Sequence, residues 1–204
     1  MIDIFTKGFL VSGGLIMAIG TQNAFVLKQG LMKQHIGSIV LICFLCDVLL
    51  ITAGVLGLGF VLEQVPSLGQ ILAILGAAFL LWYGFNSFKS AWRGNSHMEL
   101  TDASQQKSRL QLVTMALAIT LLNPHVYLDT VVIIGGVGST LTFAEKQWFL
   151  FGALVASFTW FISLGYGSRL LTPLFQKPKT WQWLDAGIGI MMWWIAFELL
   201  RYFF

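Results

Sequence analysis

The stretch IGSIVLICFLCDVLLITAGVLGLGFVL, residues 36–62, contains a single charged residue, Asp47. A helix that crosses the hydrocarbon core of a membrane needs about 20 consecutive, mostly apolar residues. This stretch is longer than that minimum. It therefore predicts a transmembrane helix that carries a carboxylate near its middle.

The composition of the chain agrees with this interpretation. Of its 204 residues, 57% are hydrophobic and 10% are charged, whereas a soluble domain has about 25% charged residues. The net charge is +3, but there is no basic run with interleaved aromatic residues, so nucleic-acid binding is not indicated. We expect an all-α integral membrane protein with one transmembrane domain over residues 1–204, surrounded by lipid.

About six transmembrane helices are predicted from the apolar runs. They cover residues 8–27, 36–62, 66–88, 112–134, 147–168 and 183–200. Basic residues are enriched in the cytoplasmic loops of membrane proteins, and nine fall on one side of this arrangement: Lys28, Lys33, Lys89, Arg93, Lys107, Arg109, Arg169, Lys177 and Lys179. The other side receives three, so both termini are expected outside the cell membrane. If the first or the last helix does not cross, the chain has five spans and one terminus changes side.

The two halves of the chain resemble each other. Repeat one covers about residues 5–88, a polar segment that we expect in the cytoplasm covers about 89–111, and repeat two covers about 112–203. Trp82, Phe85 and Lys89 recur at the same spacing as Trp194, Phe197 and Arg201. With three spans each, the repeats must have opposite orientations, an arrangement that recurs in transporters with a site at the membrane midplane. The alternative is chance similarity between apolar segments.

Asp47 and Asp129 are the most informative residues, because both lie well inside predicted spans. A carboxylate at the membrane centre costs ~2.5–3.5 kcal/mol on insertion scales. Ionisable residues at this depth usually belong to a substrate or proton pathway. The alternative is that each carboxylate only braces neighbouring helices through hydrogen bonds.

Breaks are predicted in two of the helices. Pro124 cannot donate a backbone hydrogen bond, so the helix of LLNPHVYLDT should break there, beside Asn123 and His125. Such breaks are where transporters bind substrate. His125 is either a proton carrier or a residue that, with Asn123, satisfies the broken backbone.

The equivalent place in the first half is AIGTQNAFVLKQG. Gly20 loosens the helix there, and Thr21, Gln22 and Asn23 follow as three consecutive polar residues. They either line a cavity opposite Asn123 or mark the level of the lipid headgroups. We favour the cavity, because Gln and Asn are poor interfacial anchors.

Cys43 and Cys46 form a C-x-x-C pair within the second predicted helix. In a soluble redox protein this pair would favour thiol chemistry, so a membrane thiol–disulfide protein is an alternative function. A soft-metal site is another. We prefer to interpret both as small apolar residues in a helix interface, and we predict neither a cofactor nor a metal site.

The sequence resembles the LysE-type amino acid exporters over nearly its whole length. The resemblance is carried by GTQNAFVLKQG at residues 20–30, Asp47, LLWYGFNSFK at 80–89 and LLNPHVYLDTVVIIG at 121–135. The family usually has Gly-Pro where this chain has Gly20-Thr21, which affects how the first helix is broken. The resemblance implies a bacterial inner-membrane exporter, not an enzyme, that acts on L-arginine or on lysine or canavanine. Other members of the superfamily transport neutral amino acids or metal ions.

The residues themselves also favour a cationic substrate, because a guanidinium pairs with a carboxylate through two parallel hydrogen bonds. Exporting a positive charge against an inside-negative potential costs ~2.3 kcal/mol per 100 mV, so exchange for an incoming proton would favour export. We expect Asp47 and Asp129 to exchange proton for substrate, while Gln22, Asn23 and Asn123 bind its backbone groups. The sequence is compatible with a homo-oligomer.

Overall fold

The computed structural model describes residues 1–18, 20–57, 66–93, 107–175 and 177–203, which form helices joined by short turns with no strand among them. The first half contains α1 (Ile2–Ile16), α2 (Thr21–Leu31), α3 (Ile36–Val55) and α4 (Pro66–Arg93). The second half contains α5 (Arg109–Leu121), α6 (Pro124–Tyr127), a π segment (Leu128–Ile134), α7 (Gly135–Ser139), α8 (Phe143–Gly167), a 3-10 helix (Ser168–Phe175) and α9 (Pro178–Phe203).

Three helical stretches are long and apolar enough to cross a membrane by themselves: Ile36–Val55, Phe143–Phe175 and Pro178–Arg201. Two more spans arise if each bent helix pair counts as one. The first pair, α1 and α2, bends by 80°, and the second, from α5 to α7, bends by 64°. The all-helical membrane fold is thus confirmed with three to five candidate spans. The remaining predicted span, residues 66–88, lies on α4, whose 28 residues are about 42 Å long. It is not among the candidate spans, so the count of six stays a prediction.

The helix boundaries differ from the predicted ones mainly at the ends. α8 begins at Phe143 because the Glu145 carboxylate accepts a hydrogen bond of 2.9 Å from the Thr142 backbone N–H, a common way to start a helix. α9 begins at Pro178, since the first helical position does not need the N–H that proline lacks. Residues 58–62 of the second predicted helix and residues 94–106 of the polar segment lie outside the described residues.

α3 occupies the centre of the bundle. It contacts α8, α5, the π segment, α7 and α2, while α4 packs mainly along α9 and α1 packs mainly along α8. The largest buried cluster of apolar side chains draws on both halves of the chain. The two halves are therefore intertwined around α3.

A close backbone approach fixes α3 against the second broken span. A Cβ atom on Gly54 would lie 2.6 Å from the Thr130 carbonyl oxygen, and one on Gly135 would lie 2.7 Å from the Gly54 oxygen. Only glycine allows backbones to pack at this distance. Because Asp47 is two helical turns before Gly54 and Asp129 lies just before Thr130, this contact also sets the position of the two carboxylates.

Candidate functional site

The two helix breaks and α3 surround a cavity of about 350 Å³, within the size range of ligand sites in proteins. The first half of the chain contributes Leu15, Ile16, Ala18, Gly20, Thr21, Gln22, Asn23 and Asp47. The second half contributes Asn123, His125, Val126, Asp129, Thr130, Ile134, Phe161, Met191, Trp194 and Ile195. The predicted residues Asp47, Asp129, Gln22, Asn23, Asn123 and His125 therefore share one cavity, and their functional roles stay predictions.

The first break is stabilised by the side chain of Asn23. The last carbonyl groups of a helix have no partner within it. The Asn23 amide nitrogen donates hydrogen bonds to the carbonyl oxygens of Ile16 and Ala18, both at 2.7 Å. Its amide oxygen accepts a hydrogen bond of 3.1 Å from the Trp160 indole N–H on α8. Asn23 thus holds the end of α1, the start of α2 and α8 together at the cavity wall.

The second break uses two different side chains. The Asn123 amide oxygen accepts a hydrogen bond of 3.1 Å from the His125 backbone N–H. The Tyr127 hydroxyl donates one of 2.8 Å to the carbonyl oxygen of Leu121 at the end of α5. The Asn123 amide nitrogen also lies 3.4 Å from the Thr21 hydroxyl oxygen. This last contact connects the two breaks directly.

The three polar residues after Gly20 line the cavity. Gly20 has an extended backbone and precedes the first turn of α2. The first backbone hydrogen bond of α2 runs from the Ala24 N–H to the Gly20 oxygen. The amides of residues 21–23 therefore belong to the first turn, where backbone N–H groups have no partner within the helix. A helix N-terminus carries a partial positive charge, which suits an anionic group in the cavity.

Asp47 is the deeper of the two carboxylates. Only 2% of its surface is exposed, and its Oδ2 atom accepts a hydrogen bond of 2.7 Å from the Ser157 hydroxyl on α8. Burial disfavours the charged form of a carboxylate, whereas a hydrogen-bond donor favours it. The site can therefore hold Asp47 either protonated or paired with a cation.

Asp129 lies in the π segment directly after the second break. Its side chain is 32% exposed, and its Oδ2 atom is 3.8 Å from Nδ1 of His125, whose side chain is 64% exposed. This separation is too long for a hydrogen bond. A π-helical turn inside a helix often marks a functional site, and here it carries the more accessible carboxylate.

Gln22 lines the cavity together with Asp47, and the two cysteines lie outside the cavity lining on the same helix as Asp47. The Gln22 amide nitrogen is buried and has no oxygen or nitrogen acceptor among the described residues, while its side chain adjoins the Cys43 thiol. The Gln22 amide can therefore donate a hydrogen bond to an oxygen atom in the cavity. Cys43 and Cys46 are buried free thiols. Among the described residues, no group of three His, Cys, Asp or Glu side chains is placed to hold a metal ion.

Sequence reasoning missed the contributions of α8 and α9. Ser157, which binds Asp47, resembles many other small polar residues in transmembrane helices, and only its depth in an apolar span could have singled it out. Lys28 was assigned to a cytoplasmic loop. The loop part of that prediction was wrong, because Lys28 is buried in α2 and pairs with Asp185 of α9, while the cytoplasmic side stays a prediction. The two residues are too far apart in sequence for the pairing to be predicted.

Two bent helix pairs that meet at a cavity with carboxylate and amide side chains, within an apolar bundle, are typical of multi-pass membrane transport proteins. The chain belongs to the LysE family: the model of the LysE type translocator matches residues 14–202. Together with the bacterial relatives described next, this assignment confirms the resemblance, the location in a bacterial inner membrane and the prediction of a transporter rather than an enzyme.

Curated relatives cover almost the entire chain. It is 40% identical to the arginine exporter protein ArgO of Yersinia enterocolitica over 201 residues, which are 98% of both chains. It is 41% identical to the proteins of that name from Salmonella newport and Salmonella typhimurium, over 98% of this chain and 95% of theirs. No solved structure matches the chain.

Proposed function

We propose that this protein exports L-arginine from the bacterial cytoplasm across the inner membrane. One observation carries the proposal: carboxylates from both halves of the chain, Asp47 and Asp129, line one cavity at the junction of two broken helices. The curated relatives are named for arginine export, and they are similar over the whole span that contains these residues. The helical bundle places this cavity within the membrane that the substrate has to cross.

The cavity matches the charges of arginine at both ends of the molecule. Its guanidinium group can form two parallel hydrogen bonds with a carboxylate, which an ammonium cannot do. Asp47 or Asp129 supplies that carboxylate. The α-carboxylate of the substrate takes the buried Gln22 amide and the first turn of α2, where partial positive charge lies. This placement uses a buried donor that has no oxygen or nitrogen acceptor among the described residues.

The same carboxylates couple export to the uptake of a proton. Moving arginine outward against an inside-negative potential costs ~2.3 kcal/mol per 100 mV. If a proton replaces arginine on Asp47 for the return step, one positive charge moves in each direction and the cycle is electrically neutral. The depth of Asp47 supports this role, because a buried carboxylate is readily neutralised by a proton.

Alternating access arises from motion between two inverted repeats, residues 5–88 and 112–203. The two close glycine contacts support the repeats. A Cβ on Gly30 of α2 would collide with the backbone of Gly165 in α8, just as one on Gly135 would collide with Gly54 of α3. In each case the second part of a broken span crosses the middle span of the other repeat. Both termini are periplasmic in this topology.

Uptake of labelled arginine into inside-out membrane vesicles tests the function. In such vesicles the cytoplasmic face is outside, so export appears as uptake. We expect uptake that depends on the protein and on an acidic vesicle interior, and that excess lysine or canavanine reduces. Citrulline, which has the shape of arginine without its charge, is the matched competitor and should have little effect. Uptake of neutral amino acids instead of arginine would contradict the proposal and favour a different substrate class.

A further inference from the structure

A buried ion pair lies outside the cavity described above. Lys28 of α2 pairs through Nζ with Oδ1 of Asp185 of α9, and their side chains are 6% and 1% exposed. The second carboxylate oxygen of Asp185 accepts a hydrogen bond of 2.8 Å from the Ser90 hydroxyl at the end of α4. We call Lys28, Asp185 and Ser90 the α2–α9 latch, because they join the second half of the first broken span to the α4–α9 pair.

The latch lies just beyond the cavity along both helices. Asp185 precedes the cavity residue Met191 by six residues of α9, or about 9 Å, and Lys28 follows the cavity residue Asn23 on α2. Between the two levels, Phe25 of α2 and Ile188 of α9 belong to one buried apolar cluster. A substrate that reaches the cavity from the latch side must therefore separate α2 from α9. In the predicted topology this is the cytoplasmic side.

A contribution to the stability of the fold does not by itself explain why an ion pair is buried at this place. Removing two charges from water costs several kcal/mol per ion, and apolar side chains of similar volume often stabilise a protein at least as well. Unlike apolar packing, an ion pair can be opened by a competing cation that takes the place of its positively charged member. Arginine carries such a cation, and its guanidinium matches a carboxylate better than the Lys28 ammonium does.

We propose that Asp185, supported by Ser90, is a loading site for the cationic group of the substrate on the cytoplasmic side, and that Lys28 occupies this site while the transporter is closed there. Arginine takes the place of Lys28 on Asp185, α2 separates from α9, and the substrate proceeds to Asp47 and Asp129. The inference rests on the proposed function. It makes Lys28 a tethered competitor of the substrate.

The sharpest test is a substitution that keeps both the positive charge at position 28 and its ion pair with Asp185. Lys28→Arg places a guanidinium opposite Asp185, which should compete with substrate more strongly than the ammonium. We expect the KM for arginine uptake into inside-out vesicles to rise several-fold at unchanged membrane abundance. Lys28→Met removes the competitor and should lower the KM. If the pair only braces the helices, Lys28→Arg should leave the KM unchanged, and that result would overturn the proposal.

A neutral pair at these two positions distinguishes substrate binding by the Asp185 carboxylate from simple stabilisation of the helix packing. Lys28→Gln with Asp185→Asn retains hydrogen-bonding side chains at both positions, and we expect the KM to rise about tenfold or more. An unchanged KM in this double variant would equally overturn the proposal. If the double variant does not accumulate, the Lys28→Arg measurement decides. The control is Glu198→Gln with Arg201→Gln, which neutralises the exposed pair on the same helix and should change nothing. Failure of the proposed function would instead appear as no arginine uptake by the unmodified protein.

Discussion

The two carboxylates of the cavity differ in how firmly the fold holds them. Asp47 lies on the unbroken helix α3, is almost fully buried and accepts a hydrogen bond from Ser157. Asp129 lies on a π segment directly after a helix break, and its side chain is one-third exposed. A fixed, desolvated carboxylate suits the step at which proton and substrate exchange. The accessible one suits the first contact with a cation that has entered the cavity, so we expect the two to contribute unequally to transport.

Loss of the charge at Asp47 should have the largest effect. Asp47→Asn keeps the size of the side chain but removes the ionic hydrogen bond to the substrate, worth ~1.5–3 kcal/mol. We expect arginine export to fall roughly 10- to 150-fold, with normal membrane abundance, as measured by uptake into inside-out vesicles. Asp129→Asn should reduce export less. The double variant should be little worse than Asp47→Asn if the two act as one unit; fully multiplicative effects would contradict a shared site.

The two helix breaks also differ in the hydrogen bonds that stabilise them, and stability measurements can reveal this difference. Asn23 makes three hydrogen bonds, two to the backbone carbonyl oxygens of Ile16 and Ala18 at its break and one with the Trp160 indole of α8. Asn123 makes one to the backbone of its own break, and Tyr127 provides another. Asn23→Ala should therefore destabilise the purified protein by about 2 kcal/mol, and Asn123→Ala by about half as much. Equal losses in thermal unfolding would show that the first break does not depend on Asn23.

A substitution at Ser157 tests Asp47 separately from Asp129, because the Ser157 hydroxyl donates its hydrogen bond to Asp47. Ser157→Ala removes a hydrogen bond of 2.7 Å and leaves the charge in place. We expect the rate of export to fall roughly fivefold, which corresponds to an increase of about 1 kcal/mol in the activation free energy. The matched control is Ser12→Ala, which removes a buried hydroxyl that donates to the Ala153 oxygen and does not line the cavity. A fivefold loss in the control as well would indicate a general packing defect.

The smallest effect is expected at His125. Its side chain is 64% exposed and lies 3.8 Å from Asp129, and pairs as exposed as this contribute little. His125→Gln should change arginine export by less than about twofold and leave its dependence on the proton gradient intact. Uptake that no longer responds to the gradient in this variant would restore His125 as the proton carrier.

The sequence predicted the residues of the cavity better than the shape of the helices. Asp47, Gln22 and Asn123 stood out because polar groups inside apolar spans are costly unless they have a use. The break at Pro124 follows from a missing N–H. The 80° bend near Gly20 was harder to anticipate, since that segment has no proline and the bend depends on hydrogen bonds from Asn23 to carbonyls of the previous helix.

Features that depend on partners distant in sequence could not be predicted. Lys28 looked like a loop residue because a lysine near the end of an apolar run usually reaches the interface. Its burial is possible only because Asp185 arrives from the other half of the chain. The sequence of the π segment likewise has no marker for a π-helical turn. Its position is fixed by packing against α3, where Gly54 allows close approach.

The central claim is that proton and arginine compete for the cavity carboxylates, and binding of arginine to the purified protein as a function of pH tests it most directly. Because a proton must leave before the cation binds, affinity should rise with pH, by up to about tenfold per pH unit for one displaced proton. The dependence should disappear in Asp47→Asn. An affinity that does not change with pH, or an equal pH dependence in Asp47→Asn, would contradict the account.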